Sequence, residues 1–176
     1  MVPLASNGAS TFSVAFNPVS TGLQTATVSI ASNDCDENPY TFAVQGRGAV
    51  PPSITVKGNG TAIANRSLTA SPADDTDFGS ASVSGGTVTR TFTVENIPDG
   101  LDLVLNGMPR VEVADRDAGD FTVTVLPGSP VAGGGSLTFE VTFDPSAAGL
   151  RTAILVITHN DLPQNPFVFT VHGTGL

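Results

Sequence analysis

The sequence predicts an all-β protein: a two-sheet β-sandwich, present as one complete tandem repeat plus the C-terminal portion of a preceding repeat. Three observations carry this reading. Gly 19, Pro 13, only 13% charged residues and short runs of Thr, Val and Ser describe a chain of many turns and short strands. Apolar residues alternate with small or polar ones, and no period of 3.6 runs long enough to make a helix. The chain also matches itself at an offset of 127, with Pro3 on Pro130 and Gly48 on Gly175; 21 of 47 ungapped pairs are identical. Self-similarity at that level marks a tandem array.

The shared part contains three strands. Phe12, Val14 and Phe16 correspond to Phe139, Val141 and Phe143, spaced as a half-buried strand requires. Ala26, Val28 and Ile30 correspond to Ala153, Leu155 and Ile157, and Tyr40, Phe42 and Val44 to Phe167, Phe169 and Val171. Asn-Pro before the last strand and a Gly-x-Gly at its end supply turn chemistry. The unique part adds Ile54 to Val56, Phe78 to Val83, Thr87 to Ile97, Leu101 to Leu105, Arg110 to Val113 and Phe121 to Val125, divided by Gly85-Gly86, Pro98-Asp99-Gly100 and Asn106-Gly107. That number of short strands suggests a sandwich of immunoglobulin type. Residues 1–49 are then the three-strand C-terminal portion of a preceding repeat. Residues 50–52, Val50-Pro51-Pro52, form a short stiff linker, and 53–176 are the complete sandwich.

Charge and hydropathy exclude several functions. The formal net charge is -9, and the seven Lys and Arg are scattered singly, so nucleic acid is not an expected partner. No apolar run of membrane length exists, so no membrane insertion is expected. MVPLASNGAS has neither a basic nor an apolar region of the signal-peptide kind and reads as the start of a fragment. One cysteine, Cys35, forms no internal disulfide.

The segments ITVKGNGTAIANRS, TDFGSASVSGGTVTRTFTVENI, DFTVTVLPGSPVAGGGSLTFEVTFDPSAAGLRTAILVITHND and NPFVFTVHGTG resemble the bacterial choice-of-anchor D repeats. Those are similar to the Hydin and abnormal-spindle (ASH) group of immunoglobulin-like domains. The most specific elements are Thr76-Asp77-Phe78-Gly79, Phe143-Asp144-Pro145 with Gly149, and Asn165-Pro166-Phe167 with Gly173 and Gly175. Ile97-Pro98 and the charged stretch 109–120 depart from the pattern. The resemblance implies a non-enzymatic spacer or adhesive module of an extracellular or cell-surface bacterial protein, with neighbouring repeats as its partners. It carries over no catalytic residue.

Candidate sites are few. His159 and His172 sit near opposite ends of one expected hairpin, and the partial copy has Ser32 and Gln45 in their places, so both read as surface or strand-edge histidines and no triad is expected. Calcium is the one cofactor that composition allows, at Asp74, Asp75 and Asp77, or at Glu112, Asp115, Asp117 and Asp120. Neither group has the spacing of an EF-hand loop, and Asp also forms turns through its own backbone. VAGGGS at 131–136 lies between strands and reads as a flexible loop. Cys35 falls in a variable tip where the second copy has Leu162; it is either a casual exposed thiol or an intermolecular disulfide partner. The alternative function is a ligand-binding module for calcium or carbohydrate, accessory to an extracellular enzyme or adhesin; for sugar, Trp is absent and Tyr40 is the single Tyr, leaving few platforms for sugar rings.

The cut repeat has a physical consequence. Three strands alone cannot cover Phe12, Phe16, Val28, Ile30, Phe42 and Val44, each worth about 1.5–3 kcal/mol when buried. Residues 1–49 are therefore expected to dock near the linker or to exchange strands with a second molecule as a dimer.

Overall fold

A computed structural model describes residues 8–176. The chain divides into two compact units, Met1–Ala49 and Val50–Leu176. The second unit contains two facing sheets. Strands β3 (Ile54–Gly58), β4 (Thr61–Ile63), β6 (Val88–Asn96), β8 (Phe121–Val125) and β9 (Ser136–Phe143) form one, in the order β4-β3-β6-β9-β8. The other is β5 (Asp77–Ala81), β11 (Phe167–Gly175), β10 (Gly149–Ile157) and β7 (Glu112–Ala114), in that spatial order. All pairings are antiparallel except β11 with β5. This is an immunoglobulin-like two-sheet sandwich.

Alternation decides which side of each strand is inside. Phe92 and Val94 of β6, Phe139, Val141 and Phe143 of β9, and Ala153, Leu155 and Ile157 of β10 are fully buried, while the residues between them, Thr93, Glu140, Thr142, Ile154 and Val156, are on the other side of their strands and only partly buried. Six phenylalanines make the centre. Phe92 stacks on Phe139 at 5.4 Å between centroids and Phe121 on Phe143 at 4.8 Å. Phe78 meets Phe121 edge-on at 5.5 Å, and Phe169 approaches Phe92 at 5.6 Å from the opposite sheet. Such tilted and offset pairs add stabilisation beyond the area they bury.

One contact closes the sandwich at the end of β11. The ring of Phe143 lies against Gly173, where an added Cβ would stand 2.5 Å from it. Only glycine leaves room for the ring. Where Leu101 to Leu105 was expected as a strand, isolated bridges appear instead, Leu103 with Val131 and Leu105 with His159. The alternation was real, since Leu103 and Leu105 are buried, but the segment crosses the end of the sandwich and meets each partner once. Strand β4 had no sequence expectation. Val50, expected in the linker, accepts a hydrogen bond from the Leu101 N–H at 2.9 Å and is fastened to the second unit.

Among its described residues the first unit is a hairpin preceded by a lead-in without regular secondary structure. Strands β1 (Gly22–Ile30) and β2 (Tyr40–Gly48) pair from Gly22↔Gly48 to Ile30↔Tyr40. Every pair falls 127 residues before its equivalent in β10–β11, from Gly149↔Gly175 to Ile157↔Phe167. The loops agree too: the Ser32 N–H donates to Asn38 Oδ1 at 3.1 Å, and the His159 N–H to Asn165 Oδ1 at 3.0 Å. Phe12 to Phe16, expected as a strand, has coil in place of a ladder. A strand is defined by neighbours, and among the described residues of this unit it has none.

Substituting Gly173→Ala should destabilise the second unit by about 1–3 kcal/mol, the usual range for forcing a methyl into a packed core. The equivalent Gly46→Ala also meets a ring, that of Phe16 at 2.8 Å. Phe16 is 51% exposed and free to swing away, so the cost there should be markedly smaller. Denaturant melts of the two variants test the contrast.

Candidate functional site

The acids at 74–77 are each committed to a different local partner. Asp74 ends a short 3-10 turn opened by Ser71, whose side chain accepts from the Ala73 N–H. Its Oδ1 accepts from the Thr76 N–H at 3.2 Å and the Thr76 hydroxyl at 2.6 Å. Asp75 has a left-handed backbone, with φ of 58°, and lies 3.3 Å from the Arg90 guanidinium. Asp77 accepts from the Gly79 N–H at 2.8 Å, with its other oxygen 3.3 Å from His172 Nε2. The three carboxylates shape a turn and steady the entry to β5.

The second acidic stretch forms a clamp. Asp117 accepts from the Thr152 N–H and from Arg151 Nη2, both at 2.9 Å. Asp120 accepts from the Ser146 N–H at 3.2 Å and from Arg151 Nε. Both carboxylates are buried. The Thr152 N–H, helped against burial by Arg116 and Arg151, holds Asp117 below the ordinary carboxylate value. Burial pushes Asp120 up, but hydrogen bonds from Ser146 and Arg151 outweigh it and the net shift is downward. Arg151 is held firmly protonated by Asp120. Asp115, at φ of 83°, turns the chain between β7 and this clamp. Among the described residues no group of three His, Cys, Asp or Glu has the arrangement of a metal site. Each carboxylate oxygen of Asp117 and Asp120 already accepts from an N–H donor.

The histidines differ from each other. His159, expected at a surface or strand edge, is 1% exposed. Its Nδ1 accepts from the Asp161 N–H at 3.1 Å, and among the described residues its Nε2 has no partner. Burial pushes its pKa down against the pull of Asp161, so the ring is kept neutral. His172 pairs across the hairpin with Thr152, seven residues before His159, so the two imidazoles are roughly 20 Å apart. They share no site.

Two buried groups escaped the sequence reading. Asn96 takes the Ser53 N–H on its Oδ1 and gives its Nδ2 to the carbonyls of Leu101 and Val131, at 2.9–3.1 Å. Asp161 accepts from the Ile54 N–H and from Gln164 Nε2, both at 3.0 Å. Both tie loops to the start of β3 at one end of the sandwich. The only hint was the Asn33-Asp34 and Asn160-Asp161 match between copies, which reads equally well as turn chemistry. VAGGGS, expected to be flexible, is pinned: the Gly134 N–H donates to the Ile97 carbonyl, and Gly135 accepts from Asn96. A side chain at Gly133 would collide with the Gly100 carbonyl.

The surface hollows lack converging chemistry. One of about 560 Å³ lies open around Leu105–Arg110, with Met108 fully exposed. Another of about 520 Å³ runs along Val50–Ser53 and Asn160–Gln164. Neither gathers a nucleophile with a base. Cys35 is exposed, in the tip of the first hairpin.

No protein-family model matches this sequence, and no curated protein matches it. Among solved structures, the chain is similar to a protein of unknown function from Porphyromonas gingivalis W83, at TM-score 0.50 and 15% identity over 90% of this chain and 68% of that one. It is also similar to the ASH / PapD-like domain (PapD-like domain 7) of human CEP192, at TM-score 0.43 and 15% identity over 73% of this chain and 87% of that one. At these identities the likeness concerns the fold alone.

Acid should remove stability in two stages. His159 stays neutral in the fold, so the unfolded chain alone takes up a proton as pH drops below the ordinary 6.5. Stability is full above that value and falls as pH moves below it. Asp117 and Asp120, held below 3.8, contribute above that pH and lose their contribution as pH falls further. His159→Gln should abolish the first stage and leave the second, read as melting temperature against pH. Millimolar calcium should produce neither binding heat nor a melting shift; a shift lost in Asp115→Asn would reinstate a metal at that loop.

Proposed function

We propose that this chain is a non-catalytic structural and interaction module of a secreted or cell-surface bacterial repeat protein, serving as a spacer or adhesive unit of the choice-of-anchor D and ASH kind. The observation that carries the reading is the duplicated hairpin. Two segments 127 residues apart share register, loop hydrogen bonds and the ring-on-glycine contact, which is what a chain built by repeating one mechanical unit contains.

The side chains with chemical potential are engaged in holding loops. Arg151, Asp117, Asp120, Asp161 and Asn96 each bond to backbone or to one another, which supports rigidity over turnover. Pro51-Pro52 at the junction restricts φ and favours stiffness between modules. The acidic balance suits a surface that stays solvated and resists self-association.

Several copies of residues 50–176 joined in series test the spacer role. Small-angle scattering should give a maximum dimension that rises linearly with copy number, as for a stiff rod. Growth as the square root of copy number, the behaviour of a flexible chain, would remove the spacer reading.

A further inference from the structure

In the second unit β9 is an interior strand of its sheet. It pairs with β6 on one side, Phe143 opposite Val88 and Phe139 opposite Phe92, and with β8 on the other. Phe139, Val141 and Phe143 are fully buried as a result. Their equivalents in the first unit, Phe12, Val14 and Phe16, are 59%, 59% and 51% exposed.

The open unit nevertheless holds the shape of the closed one. Phe16 lies over Gly46 as Phe143 lies over Gly173, and Pro18 and Ser20 abut Gly48 as Pro145 and Ala147 abut Gly175. Between the lead-in and the hairpin is a cleft of about 350 Å³ lined by Val14, Phe16, Ala26 and Val44. Both hairpin edges correspond to edges that are paired in the second unit. Thr27–Ser29 is equivalent to Ile154–Val156, which pairs with β7. Gln45–Gly48 is equivalent to His172–Gly175, which pairs with β5.

We propose that the first unit receives, by strand addition, a polypeptide carrying the strand set of residues 54–125, with Phe12–Phe16 becoming the inserted middle strand between its β6-like and β8-like members. Backbone hydrogen bonds at four edges supply affinity, and alternate apolar side chains set the register. The occupant is specified by the molecule's own precedent: a 47-residue segment with 21 identities to 3–49 is covered by those strands and no others. A second copy of this chain is a poorer source. Its residues 54–125 are already paired in cis with β9, β10 and β11, at an effective concentration that a second molecule does not match.

The proposal does not depend on the spacer role, and its test leaves residues 50–176 unchanged. A copy of residues 50–129 is placed directly before Pro3 in the full chain. Hydrogen exchange read by mass spectrometry should show Phe12–Phe16 and both hairpin strands slowed on the order of a hundredfold, as coil and edge amides enter a cooperative unit. Binding of an apolar dye to the first unit should vanish. Phe12→Asp with Phe16→Asp should restore fast exchange there and leave the 50–176 transition in place. A scrambled insert of equal composition should give no protection. Exchange unchanged by the intended insert overturns the proposal, whether the insert folds elsewhere or stays unfolded. Self-association of the unextended chain that itself protects Phe12–Phe16 also overturns it, by assigning the face to a second copy.

Discussion

The fold depends on the approach of one aromatic ring to one backbone. Phe143 ends β9, an interior strand of the five-stranded sheet, and Gly173 lies near the end of the facing hairpin. Their contact sets how near the two sheets come at that end, and the rest of the centre stacks outward from it: Phe121 on Phe143, Phe78 against both, then Phe92 and Phe139. Interiors packed to crystal density transmit a misfit of one methyl group to all their neighbours. The same ring and glycine recur as Phe16 and Gly46, so the constraint holds even where the opposite half of the sandwich is absent from the described unit.

Around this apolar centre the polar groups act as fasteners. Asn96 and Asp161 satisfy backbone donors at one end, joining the start of β3 to the loops beyond β6 and β10. Asp117 and Asp120 grip Arg151 at the opposite end of β10. Buried carboxylates survive because several N–H donors reach each of them. These bonds tie the loops to the strands, which fits the mechanical role proposed for the unit.

The repeat explains why so much was legible. Alternation and the 127-residue match identified eight of the nine strands of the second unit, because a pleated strand exposes its pattern directly in residue order. The missing strand, β4, is three residues long, Thr61–Ile63, below any period. Leu101 to Leu105 alternates like a strand yet meets its neighbours only at Leu103 and Leu105. Asp74, Asp75 and Asp77 were legible as turn formers or as ligands; only the placement of Thr76, Arg90 and Gly79 tells which atoms they hold.

Residue order by itself determined the class of fold, the inward faces and the boundary near residue 49, because periodicity and self-similarity are local properties of the chain. Tertiary structure decided what each polar side chain does. Whether His159 is a surface histidine or a buried neutral ring, and whether Asp117 and Asp120 are solvated acids or the jaws around Arg151, depends on groups brought from distant positions. It also decided the fate of Phe12–Phe16. Its pattern is that of a strand, but a strand needs hydrogen-bonding neighbours on its edges, and within its own unit the described residues supply none.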